Sequence, residues 1–246
     1  MNYLAITLLF FSVIAGGLGV YYMRPGEKIV RMLLGFSGAF LLALAFTKII
    51  PGIFSGPESK TLGYFVLLGF FIQLIIEYFA KGIDHGHQHE KPEFHDHKHI
   101  INPWGLLIGI SVHAFFEGMP FSGHFHQHEL TQNTLLLGII IHKIPIAVVL
   151  MSLFINAGYS KIKSTSLIIG FALAAPLGSL ASWFAGDFFA DSEHFYRIIM
   201  AMVVGIFLHI ATVILFENDK DHKFNFFKFI TIVIGIFAAL LITNLH

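Results

Sequence analysis

Apolar runs of about twenty residues alternate with short polar connections along the whole chain. They fall at residues 2–23, 29–50, 62–80, 101–120, 132–155, 164–185, 195–216 and 224–245. As helices rising 1.5 Å per residue, they are each long enough to cross about 30 Å of hydrocarbon. They are continuous, unlike the alternating ~10-residue segments of a membrane barrel. The first run, Leu4 to Tyr22, lacks a basic leading segment and is longer than a secretory core, so it reads as a first span. The connections carry turn and charge signals: Arg24-Pro-Gly-Glu-Lys28, Pro51 to Pro57, Asn156 to Lys161 and Glu217 to Lys223. Only residues 81–100 make a long connection, and it is His-rich. The expected fold is an all-α integral membrane protein with eight transmembrane helices, one domain over residues 1–246.

Composition supports this class. Charged residues are 12% of the chain, about half the share usual in a soluble domain, and mean hydropathy is +0.75. A formal net charge of zero gives no reason to expect a nucleic-acid partner. Lys and Arg distribute unevenly. Eleven of the 15, from Arg24 to Lys228, border connections after odd-numbered spans, while Lys48, Lys60 and Arg197 lie on the other side. The positive-inside rule then places both termini outside and the His-rich loop in the cytoplasm.

Against this background, ionisable residues inside the spans stand out. Span 4 contains His113 and Glu117, four residues apart and on one helix face. Span 5 contains His142 and Lys143. A charge at the bilayer centre costs about 2.5–3.5 kcal/mol on insertion scales, so such residues need a partner or a task. Glycine and proline interrupt the same region: Gly118 and Pro120, Pro145, Gly170, Pro176 and Gly178. Helices broken this way are tolerated where backbone lines a cavity.

The chain has 15 His and no Cys. Any metal must therefore be held by His nitrogen and carboxylate oxygen. His113, Glu117 and His142 make a two-nitrogen, one-carboxylate set that leaves a coordination position open, as a transported ion requires. The bland alternative is a His bonded to a backbone carbonyl, with Glu117 protonated or paired with Lys143. Lys143, about eleven residues into its span, is too deep to snorkel and reads as the partner of Glu117. Six histidines of the cytoplasmic loop, His85, His87, His89, His95, His97 and His99, alternate with other residues and read as a loose metal buffer or sensor, with a plain solvated linker as the alternative. A smaller outer cluster, His124, His126 and His128, reads either as a site that raises metal concentration at an entrance or as an ordinary polar turn. Asp187, Asp191, Glu193 and His194 make the outer face attractive to cations, and simple solvation of a polar connection explains them equally well. His209 and Glu77 could each line the path, but as single buried residues they read as structural.

Together these residues resemble the ZIP (Zrt/Irt-like) family of divalent metal transporters. The family's span 4 motif, His-Asn/Ser-x-x-Asp/Glu-Gly, corresponds to His113-Ala-Phe-Phe-Glu117-Gly118. Its span 5 motif, His-Asp/Glu-x-Pro-Glu, corresponds to His142-Lys143-Ile-Pro145-Ile146. Span 6, often Glu-Pro-x-Gly in the family, reads Ala175-Pro176-Leu-Gly178 here, and span 7, often Gly-x-Phe-Leu-Tyr, reads Gly205-Ile-Phe-Leu-His209. Where family members hold a second metal, this chain has Ala114, Lys143, Ile146 and Ala175. The resemblance therefore implies one metal site, with Lys143 in place of the second cation. Span 2 would bring Phe40 close without a ligand atom. It further implies inverted repeats of spans 1–3 and 6–8 around spans 4 and 5, a homodimer, and uptake toward the cytoplasm by an elevator-type movement.

Two nitrogens and a carboxylate favour Zn2+ over Mg2+ or Ca2+, with Fe2+, Mn2+, Co2+ and Cd2+ also fitting as cargo. No prosthetic group is expected. A different class would be a multi-span membrane metalloenzyme with histidine boxes, such as a di-iron hydroxylase or desaturase. Its boxes need helical His spacing at cytoplasmic helix ends, whereas the histidines here alternate within polar loops. A third would be a haem protein using two of His113, His142 and His209. A zinc protease lacks its His-Glu-x-x-His.

Overall fold

The computed structural model describes residues 2–55, 59–81, 103–122, 129–186, 188–189, 192–216 and 226–244. Among them all regular structure is helical: α1 (Tyr3–Met23), α2 (Glu27–Leu44), α3 (Ile50–Phe54), α4 (Ser59–Lys81), α5 (Pro103–Gly118), α6 (Glu129–Asn156), α7 (Lys161–Gly186), α8 (Ser192–Phe216) and α9 (Phe226–Asn244). A π turn, Ala45–Ile49, joins α2 to α3, and a 3-10 turn, Met119–Phe121, ends α5. Eight helical stretches are long and apolar enough to cross a membrane, as the hydrophobic pattern predicts. Phe11, Tyr64, Phe71 and Phe237 are among the exposed aromatic residues that suit such a span's lipid-facing surface.

The ends follow local chemistry. The Asn2 side chain accepts a hydrogen bond from the Ala5 N–H at 3.1 Å, capping α1. The Asn2 N–H donates to the Phe121 carbonyl at 3.2 Å and ties that cap to the end of α5. Gly158, at φ +78°, makes the left-handed turn between α6 and α7. One boundary differs from expectation. The turn signal at Pro51 predicts a loop, yet the second span runs from Lys28 to Phe54. The π turn precedes Pro51, which therefore sits in the first turn of α3, where a missing N–H is tolerated.

The helices sort into two bundles by their contacts. In the first, α1 packs on α6 and α7, and α5 packs on α7. Val13, Leu107, Ala147, Met151 and Phe171 belong to its core. In the second, α4 packs on α8, α2 on α9, and α2 on α8. Leu41, Leu62, Val204, Phe207 and Ala239 belong to that core. The bundles meet along a seam where α2 faces α6 and α4 faces α5.

Each bundle contains a reciprocal glycine joint. A Cβ on Gly69 would strike the Met202 carbonyl, and one on Gly205 would strike the Val66 carbonyl, so α4 and α8 touch backbone to backbone. In the other bundle Gly118 lies against the Ala175 carbonyl and Gly178 against the Phe115 carbonyl, joining α5 to α7 in the same way. Membrane helices associate through such close packing because lipid offers little hydrophobic drive between them. Gly205→Leu is therefore expected to cost at least the roughly 1–3 kcal/mol of an overpacked core, read as a lower melting temperature and less monodisperse protein. Gly170→Leu is the control, because no atom of another helix lies within 4 Å of where its Cβ would stand. Equal melting temperatures for both variants would contradict the joint.

Candidate metal centre

The polar residues of spans 4 and 5 converge. α5 carries His113 and Glu117 one turn apart, and α6 carries His142 about halfway along its length. One ligand atom from each lies within 4.8 Å of the others. All three are nearly inaccessible: His113 at 2%, Glu117 at 1% and His142 at 0% exposure. Among the described residues this is the sole group of three or more such side chains with converging ligand atoms.

Glu117 has two partners. Its Oε1 lies 3.1 Å from His113 Nε2, and its Oε2 lies 2.6 Å from Lys143 Nζ. Lys143 is itself 1% exposed, and its ammonium stands 5.6 Å from the centre of the Phe171 ring. The expected pairing of Lys143 with Glu117 is thus present. The imidazoles of His113 and His142 meet edge to face, with centroids 5.9 Å apart. Both nitrogens of His113, both Glu117 oxygens and His142 Nε2 are buried without a well-aligned hydrogen bond, the Glu117 contacts being ion pairs by distance. Orphaned lone pairs beside a carboxylate suit a cation, since an unpaired buried polar atom costs about 1–3 kcal/mol. Around tetrahedral zinc, ligand atoms stand about 3.3 Å apart. The spread of up to 4.8 Å between the three ligand atoms is wider than this.

Span 2 contributes a residue that the sequence did not single out. The Ser37 hydroxyl is 3.3 Å from His142 Nδ1 and donates to the Leu34 carbonyl at 3.0 Å. It is the one hydroxyl residue of α2, in the stretch Gly35-Phe-Ser37-Gly38. Phe40, one turn further on, is fully buried and brings no ligand atom. The other intramembrane pair lies elsewhere: His209 Nε2 of α8 is 2.6 Å from Glu77 Oε2 of α4, with Phe70 edge-on to the imidazole. Two residues each read as solitary are therefore partners. Glu193, of the acidic group after span 6, pairs with Arg197 at 3.1 Å. His85, His87, His89, His95, His97, His99, His124, His126 and His128, with Asp187 and Asp191, lie outside the described residues.

Comparison with known proteins gives two findings. A family model described as ZIP zinc transporter matches residues 82–243. The chain is also similar to Protein zntD of Dictyostelium discoideum, 26% identical over 152 residues. That alignment covers 59% of this chain and 22% of the relative, so the chain spans about a fifth of the curated relative's length.

Proposed function

The chain belongs to the ZIP zinc transporter family, and we propose that it carries a divalent cation, Zn2+ first, into the cytoplasm through the single His113, Glu117 and His142 site. The observation that carries this is the convergence of three buried ligands from α5 and α6 at membrane depth. Imidazole nitrogen favours Zn2+, Co2+ and Cd2+ over Mg2+ and Ca2+, whose shells are oxygen. Lys143 stands where a second cation would stand, and it holds Glu117 until the cargo arrives. The family is one of transporters, which removes the histidine-box metalloenzyme from consideration.

The inverted-repeat arrangement is supported by which helices pair. Exchange the first three spans with the last three, and α5 with α6. The α4–α8 contact then becomes α9–α2, and α1–α6 becomes α7–α5. The bundle of α1, α5, α6 and α7 would move as one body along the seam. In this reading the protein is a homodimer of the cell membrane, both termini face outside, and the loop histidines hold metal on the cytoplasmic side.

The test is uptake into proteoliposomes that enclose a metal-sensitive dye. Wild-type protein is expected to take up Zn2+, Cd2+ and Co2+ ahead of Mg2+ and Ca2+. His113→Ala and His142→Ala are each expected to fall to the level of protein-free vesicles. Undiminished Zn2+ uptake by both variants would sink the site.

A further inference from the structure

We propose that Ser37 is a positioning residue that fixes His142 as an Nε2 donor and ties that donor to the register of the two bundles. The proposal rests on the reading of His113, Glu117 and His142 as the cation's ligands. A serine hydroxyl has one proton. Ser37 gives it to the Leu34 carbonyl at 3.0 Å. Its oxygen can then meet His142 Nδ1, 3.3 Å away, only as an acceptor, so the Nδ1 carries hydrogen. In a neutral imidazole the lone pair is then on Nε2, which is the buried nitrogen with no partner. A ligating histidine usually has its other nitrogen held in this way, and the partner sets both ring orientation and basicity.

The placement of Ser37 adds the second half. The ligands His113, Glu117 and His142, with Lys143, all stand on α5 and α6 of one bundle. Ser37 stands on α2 of the other, and its contact with His142 spans the seam. Ser37 is completely buried, so no water competes for the imidazole proton. The ligand set is therefore fully oriented only while α2 and α6 keep this alignment. If the bundles slide, Nδ1 loses its acceptor and His142 is free to turn. A cation held firmly in this alignment is held more loosely outside it.

The experiment compares the full chain with Ser37→Ala, Ser37→Thr and His142→Ala, using Zn2+ titration and the visible spectrum of Co2+ as probes. Ser37→Ala is expected to weaken Zn2+ binding about tenfold, the lower end of what losing such a partner costs. It should also alter the Co2+ bands and raise KM for uptake more than it lowers turnover. Ser37→Thr restores the hydroxyl and is expected to recover most of the affinity. Melting of metal-free Ser37→Ala close to wild type excludes a general loss of fold. Wild-type affinity in Ser37→Ala, beside lost binding in His142→Ala, would overturn the role of Ser37 alone. Wild-type affinity in both variants would overturn the ligand assignment as well. Equal loss in Ser37→Ala and Ser37→Thr would also overturn the role of Ser37, because the hydroxyl would then be irrelevant.

Discussion

Glu117→Gln is expected to cut Zn2+ uptake by about a hundredfold or more, beyond the 10–100-fold typical of losing an outer partner. Glu117 brings the anionic oxygens to the converging group, and both of them are engaged. Glutamine keeps the shape and removes the charge. The cation would then meet two neutral imidazoles and the Lys143 ammonium, with nothing to offset its own charge in a medium of low dielectric. The same change leaves Lys143 buried without its counter-charge, which costs about 3–5 kcal/mol. Lost uptake could then mean lost fold. The double variant Glu117→Gln with Lys143→Met separates the two. It is expected to regain most of the melting temperature while remaining inactive. Recovery of uptake in the double variant would show that the carboxylate is not a ligand.

Lys143→Met alone is expected to act in the opposite direction on binding. The Nζ of Lys143 is 2.6 Å from Glu117 Oε2, a position from which it competes with any cation for that oxygen. Methionine fills comparable space without charge. Zn2+ affinity should rise by about ten- to a hundredfold, as one competing ion-pair interaction of a few kcal/mol is removed. The metal-free protein should melt at lower temperature, because the buried Glu117 then keeps only its contact with His113. Added Zn2+ should restore stability by mass action, following the logarithm of its concentration over Kd. Turnover is expected to fall, since a cation bound too tightly leaves slowly. Equal Zn2+ affinity in wild type and Lys143→Met would remove the lysine from the binding equilibrium.

The spans were legible because bilayer thickness imposes a length on every helix and forbids irregular backbone in lipid. The converging His113, Glu117 and His142, with Lys143, were legible for a related reason. An ionisable group in an apolar run is costly enough to be informative on its own. Ser37 carries no such signal. A hydroxyl in a membrane helix commonly satisfies itself on the carbonyl three or four residues back, as Ser37 does with Leu34, so its sequence context does not separate idle from engaged. His209 and Glu77 were each visible, but their pairing joins positions 132 residues apart and depends on α4 lying against α8. The helical path through Pro51 depends on the π turn before it, and no local residue pattern announces that extra residue in the turn.

The glycine joints also bear on mechanical compliance. Where backbone meets backbone, at Gly69 and Gly205 or at Gly118 and Gly178, there are no rotamers to rearrange under load. Along the seam, α2 meets α6 through side chains such as Phe40, Leu41 and Leu44, which close around Gly138. These can change rotamer. Deformation therefore concentrates in the seam, while α5 with α7 and α4 with α8 behave as stiff struts. A push delivered to Glu117 on α5 is carried whole to α7, one residue from the joint at Gly118, instead of being absorbed along the way.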